Sequence, residues 1–151
     1  MCGGQAVDLL SVHQKLDLDT LTLMHRMKTG AMIRASALMG LYGADQMPAA
    51  SLIGLVAQYA DAIGLAFQVI DDILDVTAET AVLGKTAGKD AAEDKPTFVS
   101  LLGLEQSRTM AQNEISRALD ALQTIERLSK EYEGKTERLA DIANYILSRD
   151  H

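Results

Sequence analysis

Three carboxylates interrupt an apolar run in the stretch FQVIDDILD, which extends from Phe67 to Asp75. On a helix, Asp71 and Asp75 are four residues apart and lie one above the other, whereas Asp72 is turned about 100° away. Two stacked carboxylates repel each other unless a cation lies between them. Mg²⁺ suits this arrangement, because it commonly takes one or two carboxylates and completes its octahedron with water and substrate phosphates.

A solvated helix edge beside a bundle is the competing interpretation of the same acids. The motif alone leaves both interpretations open, because short motifs often match by chance. A calcium loop does not fit, since the regular acid–x–acid–x–acid–glycine spacing is missing.

Lysines elsewhere in the chain could hold an anion next to such a metal ion. Lys28 lies in an apolar helical stripe, where a lysine is uncommon unless its ammonium meets an anion or reaches water, and Thr29 adds a hydroxyl. In the segment GKTAGKD, Lys85 and Lys89 each follow a glycine, and Lys95 comes soon after, but the spacing is not that of a P-loop. A lysine loop alone is usually a solvated surface loop. Together with the acidic helix face and Lys28, it favours a magnesium–diphosphate complex.

The composition predicts that these residues are positioned by an all-α domain. Of the 151 residues 48% are apolar, only 4% are aromatic and two are proline, which favours helices, and the length suits one domain. No segment shows sustained period-two alternation, so we expect no sheet. Predicted helices cover about residues 19–41, 49–76, 96–103 and 105–130, with a last helix around 139–146, and loops cover 43–50 and 81–96.

Apolar residues in the first two predicted helices recur at alternating spacings of three and four, which places each set on one helix face. The first set comprises Met24, Lys28, Ala31, Ala35, Leu38 and Tyr42, and Lys28 interrupts its apolar face. The second set comprises Ile53, Val56, Ala60, Ile63, Phe67, Ile70 and Leu74. Asp19 and Thr20 are suited to cap the first helix. The face with Asp71 and Asp75 borders the second stripe and should look into the bundle.

Charge and cysteine content limit the class of partner and the compartment. The net charge of −7 argues against nucleic acid as the main partner. Cys2 is the single cysteine and cannot form an internal disulfide, which suits a reducing compartment. The first residues lack a signal-peptide pattern, and the most apolar stretch, 62–70, is too short to span a bilayer. We therefore expect a soluble, cytoplasmic protein that does not enter a membrane.

Four elements, in this order, resemble the trans-polyprenyl diphosphate synthase family, most closely its bacterial farnesyl diphosphate synthase (geranyltranstransferase) type. They are MCGGQAVDL, HRMKTG, FQVIDDILD and GKTAGKDAAEDKPT, and the resemblance covers nearly the whole chain. It implies an isoprenoid-synthase-type helical bundle and a Mg²⁺-dependent prenyltransferase. In that reaction an allylic diphosphate ionises to a carbocation, which the double bond of isopentenyl diphosphate attacks.

The resemblance also implies roles for individual residues. Asp71 and Asp75 would ligate magnesium on the allylic diphosphate, with Asp72 in support, and Lys28 and Lys85 would hold the same diphosphate. Substrate contacts are implied for Lys28, Thr29, Phe67, Gln68, Lys85 and Lys95, with Gln5 and Asp8 in supporting positions. His25 is expected to be structural. The last residues, SRDH, retain only Arg149 of the basic tail that farnesyl-type enzymes often carry.

One part of the family pattern has no counterpart here. Family members are longer, and their first aspartate-rich motif lies in a half that this sequence does not include. We therefore expect residues 1–151 to form a single domain that corresponds to the C-terminal half of the bundle. Two hypotheses follow: the chain supplies half of a prenyltransferase, or it is a non-catalytic helical module that retains diphosphate contacts. A terpene cyclase fits less well, because its motif spacing differs.

The missing half would leave an apolar surface uncovered. We expect the face with Phe67, Ile70 and Lys28 to look onto solvent in a monomer, and large exposed apolar patches usually mark an interface. The chain should therefore form a homodimer or associate with the missing N-terminal half.

Overall fold

The computed structural model describes residues 2–10, 16–44, 47–82 and 96–149, and within those ranges it contains helices and no strand. The α-helices are α1 (Cys2–Leu10), α2 (Leu18–His25), α3 (Ala31–Ala44), α4 (Ala50–Val82), α5 (Phe98–Leu102), α6 (Leu104–Leu128) and α7 (Glu137–Ser148). A π-helical turn (Arg26–Gly30) joins α2 to α3, and a 3₁₀ turn (Lys130–Tyr132) precedes α7. The all-α class predicted from the sequence is confirmed.

The 33-residue helix α4 forms the centre of the core and packs most extensively on α6. Its residues Val69, Ile70 and Ile73 are fully buried, and α6 meets it with small side chains such as Ala111 and Ala118. Small residues let two helices approach closely. Buried residues lie on several faces of α4, so most of its circumference is covered. The predicted stripe along one face of α4 therefore underestimated its burial: Leu52, Ala57, Tyr59, Ala62, Leu65 and Ala66 lie outside that stripe and are buried as well.

The segment Ala50–Thr77 is, by length and composition alone, apolar enough to cross a membrane. The prediction from the shorter stretch 62–70 missed this, because the apolar character extends over the whole helix. In the structure 56% of the most apolar window is buried against the rest of the protein. That is the environment of a core helix.

The π-helical turn is held between α1 and α4 at two glycines. A Cβ atom on Gly4 would lie 2.5 Å from the amide nitrogen of Lys28 and 2.7 Å from the carbonyl carbon of Met27. A Cβ atom on Gly64 would lie 3.1 Å from the Cα atom of Gly30. Backbone therefore packs on backbone at both contacts, and this packing fixes the position of the turn.

The π turn also changes which face of α3 meets the core. Met24, before the turn, is buried as predicted, but Ala35 and Tyr42, after it, are exposed. Ile33 and Leu41 pack against the core instead. A π turn has i→i+5 hydrogen bonds and more residues per turn than an α-helix. A three–four spacing counted across it therefore loses register, and the predicted continuous stripe is wrong beyond the turn.

The first two helices of the chain differ from what the sequence predicted. The side chain of Asp17 caps α2 by accepting a hydrogen bond from the backbone N–H of Thr20 at 2.8 Å, so the expected caps Asp19 and Thr20 lie inside the first turn. Helix α1 was not predicted, since its two glycines disfavour a helix. Packing of Gly4 against the π turn accounts for it.

The region around the lysine loop is described only at its two ends. Helix α4 reaches Val82, beyond the expected end near residue 76. Pro96 precedes α5, and Thr97 is its N-cap in a capping box with Ser100, so the predicted start at Pro96 was early. Gly103 ends α5 as predicted, with φ of 81°. Lys85, Lys89 and Lys95 lie outside the described residues.

We expect the substitution Gly4→Ala to lower the free energy of unfolding by about 1–3 kcal/mol, because the new methyl group overlaps backbone atoms that cannot rotate away. Gly54→Ala is the matched control: it adds the same methyl group to a helix where no atom lies within 4 Å. That change should stabilise the protein by roughly 0.5–1 kcal/mol. Urea denaturation of both variants measures the two effects. Equal stability of the Gly4 variant and the parent would show that the turn is not held by this contact.

Candidate functional site

A hydrogen bond connects the HRMKTG element to the acidic helix. The hydroxyl of Thr29 donates to the amide oxygen Oε1 of Gln68 at 3.2 Å. Gln68 lies on α4 one helical turn before Asp71 and Asp72, and Lys28 is the neighbour of Thr29 in the π turn. The structure thus brings together two elements that are 39 residues apart in the sequence.

Asp72 is the most buried of the three acids, with 7% of its surface exposed. Its Oδ2 accepts a hydrogen bond from the backbone N–H of Phe98 at 2.8 Å, and its carboxylate also interacts with the side chain of Gln68. Burial raises the pKa of Asp72 to about 6, although the Phe98 and Gln68 hydrogen bonds oppose that shift and the charges of Asp75 and Asp71 add to it. Asp72 therefore anchors the start of α5 to α4. Its predicted support of a metal ion stays a prediction.

Asp71 is half-buried and already has a cationic partner. Nη2 of Arg149, the residue that follows α7, lies 3.2 Å from Oδ1 of Asp71. Burial raises the pKa of Asp71 and the charge of Asp75 raises it further, whereas the Arg149 guanidinium lowers it. Asp75 is exposed to solvent. The three carboxyl groups are therefore accommodated in three ways. Asp71 forms an ion pair, Asp72 accepts hydrogen bonds and has a raised pKa, and Asp75 is exposed to water.

Phe67 contributes a second contact to Arg149. The guanidinium carbon lies 5.1 Å from the centroid of the Phe67 ring, within the range of a cation–π interaction. Phe67 and Asp71 are four residues apart on α4, so one helix face offers a ring and a carboxylate to the same guanidinium. The sequence pattern marked Arg149 only as the remnant of a basic tail. It contained no signal for these contacts, because Arg149 is 78 residues beyond Asp71.

A groove of about 630 Å³ opens beside the π turn. It is lined by Cys2, Gln5, Ala6, Leu9, Lys28, Thr29, Met32 and Ile33. Gln5 and Lys28 both line this groove, and their predicted roles at the substrate stay predictions. Asp71 and Asp75 are not among its lining residues, and in the described chain the Thr29–Gln68 bond links the turn that carries Lys28 to the helix that carries the acids.

The remaining expected site residues are described only in part or not at all. Asp8 belongs to α1, but its side chain is outside the described residues, as are Lys85 and Lys95. His25 is buried, with its ring centroid 5.4 Å from that of Phe98, which agrees with the structural role expected for it.

The described residues contain no group of three or more His, Cys, Asp or Glu side chains arranged to hold a metal ion. Magnesium does not require such a group, because water and phosphate oxygens can fill most of its coordination sphere. The half-buried carboxylate of Asp71 and the exposed carboxylate of Asp75 are hard oxygen donors that interact electrostatically. This pair fits Mg²⁺, whereas the carboxylate of Asp72 is held by other donors.

The chain is similar to known proteins over most of its length. The family model described as polyprenyl synthetase matches residues 1–134. A Bradyrhizobium diazoefficiens protein named "Probable farnesyl diphosphate synthase" is 50% identical over 122 residues, which are 80% of this chain and 37% of that protein. The farnesyl diphosphate synthase of Escherichia coli strain K12 is 45% identical over 150 residues, which are 99% of this chain and 48% of that enzyme.

Solved structures support the same relationship. The geranyltransferase of Helicobacter pylori, crystallised with magnesium and isoprenyl diphosphate, is 34% identical and superposes with a TM-score of 0.71. The match covers 98% of this chain and 46% of that one. The chain therefore spans less than half the length of each of these relatives.

The raised pKa of Asp72 predicts a specific pH dependence of stability. The folded state holds this proton more tightly than the unfolded state, so ionisation of Asp72 lowers stability as the pH rises from about 4 to 6, and the effect is constant above that range. Asp72→Asn should remove this contribution, which is on the order of 3 kcal/mol. Urea denaturation from pH 4 to 7 compares the variant with the parent. Parallel stability curves would contradict the assignment.

Proposed function

The chain belongs to the polyprenyl synthetase family, and from this premise we propose that it supplies part of a prenyltransferase that condenses an allylic diphosphate with isopentenyl diphosphate. The observation that carries the proposal is the Thr29–Gln68 hydrogen bond, which joins the lysine-bearing π turn to the acidic helix. The names of the relatives, farnesyl diphosphate synthase and geranyltransferase, agree with this chemistry.

The negative charge of the leaving group determines which side chains the site needs. Pyrophosphate departs with heavy negative charge, so positive groups must be in place where that charge develops. Bound Mg²⁺ would supply most of this stabilisation when it is held by Asp71 and Asp75. Lys28 would hold a diphosphate oxygen, and Thr29, oriented by Gln68, would fix the position of the turn. No nucleophilic side chain is required.

Water must be kept from the carbocation. The groove beside Lys28 has apolar walls from α1 and α3, including Leu9, Met32 and Ile33. Such walls exclude water from a reactive intermediate. Lys85 and Lys95 are proposed as further diphosphate contacts, Phe67 as a contact near the substrate, and Gln5 and Asp8 as supporting residues, all on the strength of the family resemblance.

An exposed apolar face supports the proposal that the chain associates with a partner. We expected this face to contain Ile70, but Ile70 is fully buried. Helices α1 and α3 do carry exposed apolar residues: Leu9 and Met39 are each 67% exposed, and α3 has no buried residue. We propose that this face docks on the remaining helices of a family member, with a homodimer as the alternative.

A cytoplasmic location is also proposed. The apolar helix α4 is used as a core helix, and the chain has one cysteine, so no internal disulfide is possible.

The metal and diphosphate roles can be tested with the chain itself, using Mg²⁺ and inorganic pyrophosphate in calorimetry. Asp75→Asn and Lys28→Ala should each weaken Mg²⁺-dependent pyrophosphate binding about tenfold or more, because each removes a charged contact. Asp61→Asn is the matched control on α4: Asp61 pairs with Arg34 and lies outside the site, so its loss should not change binding. Binding that is unaffected by the two site variants would contradict the metal and diphosphate contacts proposed for Asp75 and Lys28.

Association is tested by measuring mass in solution and turnover together. The chain, mixed with the N-terminal half of the Escherichia coli relative, should form a 1:1 complex with prenyltransferase activity, and Met39→Glu on the α3 face should weaken that complex. Arg117→Glu, on the far helix α6, is the control and should leave it intact. A chain that remains a monomer, without activity in the mixture, would refute the docking face.

A further inference from the structure

Arg149 contacts the carboxylate of Asp71, which the proposed function assigns to magnesium. Arg149 is held on α4 by two groups: Oδ1 of Asp71 at 3.2 Å from Nη2, and the Phe67 ring at 5.1 Å from the guanidinium carbon. Both side chains of the ion pair retain 31% of their exposure, so a small ion can reach the carboxylate from solvent.

We propose that Arg149 is a place-holder for the divalent cation, so that guanidinium and metal ion occupy Asp71 alternately and metal binding releases Arg149 from Phe67. This proposal rests on the proposed function, because it requires Asp71 to be a metal ligand. Arg149 is then a competitor for the site and a positioning residue, and it has no contact with reacting atoms.

Electrostatics favour one occupant of Asp71 at a time. Magnesium needs a carboxylate oxygen at 2.0–2.1 Å, and two positive groups on one carboxylate repel each other. Before metal binds, a half-buried Asp71 next to Asp75 needs a counter-ion, and Arg149 supplies it. After metal binds, its positive charge weakens the attraction between the carboxylate and the guanidinium. The cation–π contact with Phe67 that remains is weak at an exposed site.

An arginine suits this position better than a lysine would. A planar guanidinium can stack on a ring and bind a carboxylate at the same time, whereas a lysine ammonium is a point charge. The contact involves the residue directly after α7, and α7 itself packs on α4, so release would move the Arg149 side chain and leave α7 in place.

The test is calorimetric titration of the full chain with Mg²⁺ in the presence of inorganic pyrophosphate. Arg149→Gln should bind Mg²⁺ roughly two- to fivefold more tightly than the parent, since a partly exposed ion pair of this size is lost on binding. Arg149→Lys should fall between the two. Arg34→Gln is the matched control, because Arg34 also pairs with a carboxylate of α4, Asp61, which is about 15 Å along the helix from Asp71. It should leave the affinity unchanged.

A second measurement follows Arg149 directly. The Nε–H resonance of Arg149, displaced by the ring current of Phe67, should move toward the position of a free arginine as Mg²⁺ saturates the chain. Phe67→Leu should abolish the initial displacement. A resonance that stays in place at saturation, or an Arg149→Gln variant with unchanged affinity, would overturn the place-holder.

The effect of Asp71→Asn on Mg²⁺ binding distinguishes failure of this proposal from failure of the proposed function. If Asp71→Asn weakens Mg²⁺ binding while Arg149→Gln leaves it unchanged, the metal site stands and the place-holder fails. If Asp71→Asn has no effect on Mg²⁺ binding, both fail.

Discussion

The backbone of the π-helical turn approaches its neighbours so closely that a Cβ atom would overlap backbone at Gly4 and would fit tightly at Gly64. The rest of the site depends on this constraint. It places α1 against one side of the turn and α4 against the other, and it sets the reach of Thr29 to Gln68. Because protein interiors transmit small displacements, a turn moved by the width of a methyl group would carry Lys28 away from the acidic helix.

The three acids of FQVIDDILD show how one helix can carry charge next to a core. An isolated carboxylate in an apolar environment is costly, so each acid needs its own compensation. Asp72 points to α5 and is satisfied by a backbone N–H, Asp71 pairs with Arg149, and Asp75 remains hydrated. The 100° rotation between Asp71 and Asp72 therefore separates a structural anchor from the acids that remain accessible to a cation.

The contact between α4 and Phe98 also connects the site to the lysine segment. Asp72 holds the backbone immediately after the GKTAGKDAAEDKPT element, so the helix that carries the acids also fixes one end of the segment that carries Lys85 and Lys95. Arg149 adds a contact from α7. Elements from the beginning, the middle and the end of the chain thus converge on one part of α4, whereas the outward face of α3 remains without a partner in the described structure.

The sequence by itself determined the helical class, most helix positions and the identity of the acidic helix, because spacing and propensity act over a few residues. It also indicated that HRMKTG and FQVIDDILD belong to one site, through their resemblance to a family. It did not reveal the π turn, helix α1, the anchoring of Asp72 or the pairing of Asp71 with Arg149. Those depend on tertiary packing: two glycines permit a close backbone approach, a register change in the π turn selects the face of α3, and a residue distant in sequence reaches Asp71. Local patterns carry no information about contacts of that kind, since the partners are brought together only when the helices pack.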